Sequence, residues 1–557
     1  MRGTVLATSA LAMAGVGHAN VLVACGTPML RSMRGHAVVQ TQSMSSEATG
    51  SDLLDQLVNH EQQGIPKDAG AKGGVFDVGR MHRLLAELGD PHKRWPAVHI
   101  AGSKGKGSTA AIISSVLRAA GYKVGTYTSP HLHHIGERMA VNGCALPPAD
   151  FTALVAAHEG AIRVRVAAEG GALSHFEVTT ALAFKHFADS GVCVGVIETG
   201  MGGTYDATNV FSADNLGAAV ITSLGYEHVE ALGGSLASIA AAKAGIMRPG
   251  RPVVVSRQVH EASAAVLQGA ARDKGCELVQ AAQQVVAQHE GYDTVDEPTA
   301  YALRERVSLR AGPGGLLPAD WSAGPLQLRL VGAHQHDNIA TAITTCAKLR
   351  SEGWDIPDEA ITAGLQAAHM PGRLQMLQTP RPPCAVGART GAPGTIPPWV
   401  VLDGAHSPEA ASSLATTLRH AFPDAPLALV VAMASDKEHR EVMAGLRHLA
   451  PVAAVFTAVP VVGSYHRAAA PGTLAAQWQA AGMLEPDMQT GGKRAPRCRE
   501  LIQASLTAAY EKAKHELRGH GSRGLLVITG SLHVVAAAQK IEELAEVIAR
   551  AQHHEQL

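Results

Sequence analysis

Two apolar periodicities alternate along this chain. Short, almost continuously apolar runs at residues 97–101, 124–128, 192–198, 218–223 and 253–256 predict buried strands. Between them, stretches with helical spacing predict helices over 149–168, 179–190 and 236–246. Residues 52–95 read as largely helical and amphipathic, interrupted by a glycine-rich loop at 70–79. Residues 286–326 are polar and glycine-rich with weak periodicity. Helical spacing resumes over 338–352 and 358–368.

A second alternating set follows. Strands are predicted at 399–402, 427–433, 453–457 and 524–529, and helices at 408–420, 438–449, 498–517 and 533–550. Segment 379–398 is proline- and glycine-rich and predicts an extended loop. Segment 464–497 reads as a surface insertion. Strand–helix alternation with apolar strands predicts an α/β protein whose mostly parallel sheets are covered on both faces. The expected organisation is a leader at 1–50, a first α/β domain at 51–368, a linker at 369–398 and a smaller Rossmann-like α/β domain at 399–557.

Composition narrows the functions. The formal net charge of 557 residues is −1, so no basic field points to nucleic acid. No apolar run is long enough to span a bilayer. Seven scattered cysteines without a CxxC pair argue for reduced thiols. Small-molecule substrates are therefore expected. Residues 1–46 hold no Asp or Glu but include Arg2, Arg31 and Arg34. This bias predicts a mitochondrial transit peptide; a disordered tail on a cytoplasmic protein is the alternative.

The candidate chemistry starts at AVHIAGSKGKGST, residues 97–109. A strand, a glycine loop with Lys104 and Lys106, and then a helix form a phosphate grip. Glycines let backbone N–H groups reach phosphate oxygens, and the lysine adds a full charge. The generic phosphate-loop pattern is not met: Ile100 stands where it needs glycine, and Gly107 where it needs Ser or Thr. Polar residues recur at other strand ends. Ser129 lies in TSPH, Glu198 opens TGMGG, His228 lies in GYEHVEALGG and Asp403 in DGAHSP. In parallel sheets, ligands sit at these carboxyl ends.

Together the blocks AGSKGKGST, TSPHL, HFEVTT, ETGMGGTYDATN, SLGYEHVEALGGSLASIAAAKAGI, GAHQHDN, MPGRLQ, LDGAHSP and TGSLHVV resemble the folate branch of the Mur ligase superfamily. That branch comprises dihydrofolate synthase and folylpolyglutamate synthase. The resemblance implies ATP-dependent attachment of L-glutamate to dihydropteroate, to reduced folates, or to both, by a monomeric enzyme. It implies that Gly105, Lys106, Gly107, Ser108, Asn338, Arg373 and Asp403 bind ATP. Ser129, Glu198 and His228 would hold magnesium. Lys243, carbamylated in relatives, would help hold a second magnesium ion. Lys106, Lys243 and His406 are the implied catalytic residues. The pteroate side would be Asp77, Val78, Gly79, Ser174, His175, Phe176, Glu177, Tyr205, Asp206 and Ala207. Two departures stand out: Thr204-Tyr205 replaces an Arg-Leu pair common in bacterial members, and Ser407 replaces an asparagine. A nucleotide-dependent switch without ligation is the alternative from another class.

Overall fold

The computed structural model describes residues 52–67, 75–295, 300–378, 398–483, 498–518 and 524–556. The leader and most of segment 379–398 lie outside these residues.

The first sheet has seven strands: β1 (Ala97–Ala101), β2 (Val124–Tyr127), β3 (Met139–Val141), β4 (Val194–Glu198), β5 (Leu216–Ile221), β6 (Val253–Val255) and β7 (Leu278–Gln280). Their order is β3-β2-β4-β1-β5-β6-β7. All neighbours are parallel except the β2–β3 pair. Alternate residues of each strand feed cores on opposite faces. Ala97, Ala101, Ile197 and Ile221 join one apolar cluster; Val98, Ile100, Val196 and Val220 join the other. Burial on both faces explains the continuous apolar runs. β1 lies at the centre, and the chain leaves it leftward to β2 and returns across it from β4 to β5. That reversal opens a crevice at the carboxyl ends.

Strands β8 (Val285–Thr294), β9 (Leu303–Ala311) and β10 (Ser322–Leu328) form a separate antiparallel sheet. Weak periodicity concealed it at 286–326. Along β9, Leu303, Glu305, Val307 and Leu309 are all buried, and the charged member breaks the apolar pattern. The Ala333–Ser351 helix follows, and Val285, Val307 and Leu309 share its apolar cluster.

The last sheet has six strands: β11 (Gln375–Gln378), β12 (Trp399–Leu402), β13 (Leu427–Val431), β14 (Ala453–Phe456), β15 (Arg499–Ile502) and β16 (Leu525–Thr529). The order is β11-β12-β16-β13-β14-β15, parallel apart from β11. Residues 375–378, inside the expected linker, are thus an edge strand. The single helix expected over 498–517 is instead β15 plus a helix at Leu506–Leu517. β15 reads RELI and carries no apolar alternation; pairing with β14 makes it a strand. Within 464–497, Pro471–Gly482 is a helix packed into the core through Leu474, Trp478 and Ala481. The 533–550 stretch is divided into helices at Leu532–Ala538 and Glu542–Gln556.

Candidate active site

The site gathers at the carboxyl ends of β1, β2, β4 and β5. After β1, Gly102 to Gly105 turn the chain into the Lys106–Ala119 helix. Gly105 caps that helix at φ +85°, a left-handed conformation that favours glycine. A Cβ there would lie 2.1 Å from Asn338 Oδ1, so no side chain fits. The N–H groups of Lys106, Gly107 and Ser108 belong to the helix's first turn, where no intrahelical carbonyl can take them. They and the helix dipole suit an anion.

Around this loop the structure brings most of the expected nucleotide and metal residues together. Lys106 Nζ lies 3.9 Å from Glu198 Oε1, and both side chains are largely buried. Ser129 N–H donates to Glu198 Oε2 at 3.2 Å. Burial pushes the Glu198 carboxyl above its usual range, and Lys106, the Ser129 N–H and Arg373 offset only part of that. Asn338 is buried; its amide donates to Gln335 Oε1 at 2.8 Å, and Thr109 Oγ1 donates to its Oδ1 at 3.5 Å. Met370 overlies the loop: a Cβ on Gly107 would meet its methyl at 2.5 Å.

Lys243 comes from the Leu236–Lys243 helix and is 2% exposed. Its Nζ donates to the Gly102 carbonyl at 2.6 Å. Burial, with Lys106 nearby, drives its pKa from 10.5 down to about 7, against the pull of Glu227, Asp206 and Glu198. Between those two values the unfolded chain holds a proton that the folded chain has lost. The folded state therefore gains stability as pH rises from about 7 towards 10.5. Lys243→Met is expected to melt higher than the parent near neutrality in bicarbonate-free buffer. The gap should narrow as pH rises, which melting curves at several pH values will read directly.

His228 follows β5 on an exposed turn at φ +50°. Lys106 and Lys243 act on it electrostatically, as does its neighbour Glu227. Glu227 was not singled out from sequence, although its adjacency to His228 was the available signal. Burial pushes the Glu227 carboxyl up, but Lys106, Lys243 and His228 outweigh this and hold it low. Gln335 and Met370 were missed as well; they flank Asn338 and Arg373 within GAHQHDN and MPGRLQ.

The last sheet closes this site from the other side. Lys104 Nζ donates to Ser407 Oγ at 2.9 Å and lies 3.7 Å from Glu409, at the start of the Pro408–Ala421 helix. Asp403 follows β12 and accepts from Leu374 N–H at 2.7 Å and Ala405 N–H at 2.9 Å. Burial raises its pKa, and the Arg373 charge beside it opposes that. His406 Nδ1–H donates to the Gly404 carbonyl at 2.7 Å, which leaves Nε2 as the free ring nitrogen. Burial lowers its pKa, and the charges of Arg373, Lys437 and Lys104 push the same way.

The residues assigned to the pteroate side form a neighbouring group. Asp77 caps the Val78–Glu87 helix by accepting from Gly79 N–H at 2.8 Å. Ser174 caps the His175–Asp189 helix, and Glu177 completes a capping box with it. Arg80 ties the two helices through Glu177 at 3.1 Å, a pair buried on both sides. Both oxygens of Glu177 are thus engaged within the protein. His175 N–H donates to the Val58 carbonyl. Phe176 packs on the loop after Glu198, its ring 2.4 Å from where a Cβ on Gly200 would be. Asp206 staples that loop through Met201 N–H and Thr208. Val78 and Tyr205 are half-buried and Ala207 is buried.

Residues 100–346 match the Mur ligase middle domain, and residues 392–532 the Mur ligase glutamate ligase domain. The dihydrofolate synthase/folylpolyglutamate synthase of Bacillus subtilis (strain 168) is 34% identical over 383 residues, 68% of this chain and 80% of that protein. The folylpolyglutamate synthase of Lacticaseibacillus casei is 30% identical over 473 residues, 83% of this chain and 94% of that one. Among solved structures, the Mycobacterium tuberculosis folylpolyglutamate synthase complexed with ADP superposes with a TM-score of 0.67 at 28% identity, covering 86% of this chain and 96% of the other.

Proposed function

From the premise that this chain belongs to the folate branch of the Mur ligase superfamily and is an ATP-dependent ligase, we propose a site-by-site mechanism for joining L-glutamate to a pteroate or folate carboxylate. The observation that carries it is the buried Lys106–Glu198 pair beneath a helix N-terminus, with the Ser129 N–H on the same carboxylate and the Arg373 charge acting on it and on His406.

The polyphosphate of ATP rests on the first-turn N–H groups of 106–108, with Lys106 neutralising the transferring phosphoryl. A substrate carboxylate oxygen attacks the γ-phosphorus and the bond to ADP breaks, leaving an acyl phosphate. The glutamate amine then attacks the acyl carbon, the bond to phosphate breaks and an amide forms. His406, neutral because it is buried, presents Nε2 to take the amine proton. The Lys104–Ser407 contact, Met370 and Arg373 keep water from the acyl phosphate.

The donor set fits magnesium. Glu198 is a buried carboxylate 3.9 Å from Lys106 Nζ, and Ser129, whose N–H reaches the same carboxylate, would offer its hydroxyl as a second oxygen. Ser129, Glu198 and His228 would hold the ion, which spreads charge from the phosphate oxygens. A buried amine with a pKa near 7 suits reaction with carbon dioxide, and carbamylated Lys243 would supply an anion for a second ion. The pteroate side is placed along Phe176, Tyr205 and the 200–207 loop, with Asp77, Ser174 and Glu177 shaping its walls.

Purified protein supplied with ATP, glutamate and either dihydropteroate or tetrahydrofolate decides which acceptor is used. ADP release that requires both glutamate and a pterin acceptor supports ligation. ADP release indifferent to glutamate would point to the nucleotide switch instead.

A further inference from the structure

Beside this site, the three-stranded sheet and the helix behind it carry a cluster that the ligase mechanism does not use. His289 on β8 and Glu305 on β9 meet His336 from the first turn of the Ala333–Ser351 helix. Both His289 Nδ1 and His336 Nε2 lie 2.8 Å from the same oxygen, Glu305 Oε1. The three donor atoms all lie within 4.8 Å of one another. We propose that His289, Glu305 and His336 form a binding site for a borderline divalent transition metal, with Zn²⁺ as the best-matched ion.

The backbone builds this arrangement through a bulge. β8 pairs with β9 as His289 with Val307 and Tyr292 with Glu305, and the register shifts between His289 and Gly291. Residues paired across an antiparallel ladder share a face, and so do Glu305 and Val307. His289 and Tyr292 would point to opposite faces of an unbroken strand. The extra residue, Glu290, changes that parity and puts both on the face of Glu305. The Tyr292 ring then packs on the His289 imidazole, with centroids 4.5 Å apart.

The chemistry of the donor set matches the ion. Two imidazoles and one carboxylate suit zinc and its neighbours, whereas magnesium asks for oxygens. A tetrahedral ion with bonds of about 2.1 Å holds its donors about 3.4 Å apart, so this cluster needs only a small outward shift. Each neutral imidazole would move its proton to its other ring nitrogen, so no net proton release is required. The carboxylate is held from behind: Gly332 N–H donates to Glu305 Oε2 at 2.7 Å, the outer-shell support that metal ligands commonly have. Access is open on one side. Glu305 is 1% exposed, but His336 is 20% and His289 41% exposed, leaving room for a water as fourth ligand. An ion here would pin β8 and β9 to the helix that carries Gln335 and Asn338 against the phosphate loop.

The test uses the full chain, stripped with chelator and titrated with Zn²⁺ or Co²⁺ alone. Retention of about one zinc per chain after gel filtration is expected, with a tetrahedral visible spectrum for the cobalt form and a zinc-dependent rise in melting temperature. The His289→Ala/His336→Ala double variant should bind at least about tenfold more weakly and lose the thermal response. Glu198→Gln, altered at the nucleotide site, should keep both. If the double variant does not fold, His289→Gln alone serves, since that side chain is the most exposed of the three. Failure of the parent to retain zinc would overturn the proposal. So would equal binding by the histidine variants, or loss of binding in Glu198→Gln. Success or failure of glutamate ligation bears on none of these readouts.

Discussion

Replacing Lys106 with Met should lower the kcat/KM of ligation by about a thousandfold, roughly 4 kcal/mol of transition-state stabilisation, while the protein stays folded. The side chain is 14% exposed and 3.9 Å from Glu198, so its charge acts where water screens little. Its position at the first residue of the Lys106–Ala119 helix explains why the fold should survive. A cation at a helix N-terminus opposes the dipole, so removing it does not weaken the helix. Met preserves the packed length of the stem. The loss should fall mainly on kcat, because the lysine meets a phosphoryl group whose charge changes during transfer. Lys106→Arg is not expected to rescue, since a planar guanidinium fork replaces the compact ammonium point charge. Steady-state kinetics alongside circular dichroism check both halves of the prediction. A variant with near-parental turnover would remove Lys106 from the chemistry.

How much of this was legible in sequence depended on what held each element in place. The strands of the first sheet are apolar on both sides because both faces are covered, and their positions were visible as continuous runs. The phosphate loop was visible because glycine at 105 and 107 answers to backbone geometry and close approach, which sequence records directly. The three-stranded sheet was hidden because Glu305 occupies a core position, and its compensation by His289, His336 and Gly332 is entirely tertiary. β15 carries no strand signature because an exposed edge strand needs no apolar alternation; its neighbour β14 decides its state. In the site, Glu198 was legible as a carboxylate ending an apolar strand, where burial is costly without a partner. Glu227 and Met370 were not, because only the folded chain places them against Lys106 and Gly107. The tie from Glu177 to Arg80 is hidden in the same way, because it joins two helices whose partners lie 97 residues apart in the chain.

Glu198→Gln is expected to separate stability from function most sharply. The side chain sits at the end of β4, 4% exposed, and burial raises its pKa above the usual carboxylate value. A carboxyl group whose folded pKa is raised binds a proton more readily in the native state than in the unfolded one. Stability then falls as pH rises from the unfolded pKa through the folded one, and the penalty is fully present above both. The amide has the same shape, keeps an oxygen to accept the Ser129 N–H, and carries no charge to desolvate. The variant should therefore melt above the parent at neutral pH, with the difference shrinking as the solution is acidified through the raised folded pKa towards the usual carboxylate value, below which no further change is expected. Lys106 moderates the gain, because the variant leaves its ammonium without the carboxylate. Ligation should move the other way, falling by about a hundredfold or more, since an amide cannot supply the negative charge that a divalent ion beside the phosphates requires. Thermal melts across pH and initial rates over a magnesium series read the two effects independently. Parental ligation by Glu198→Gln, or a lower melting point at neutrality, would mean that this carboxylate is there for the fold and not for the phosphates.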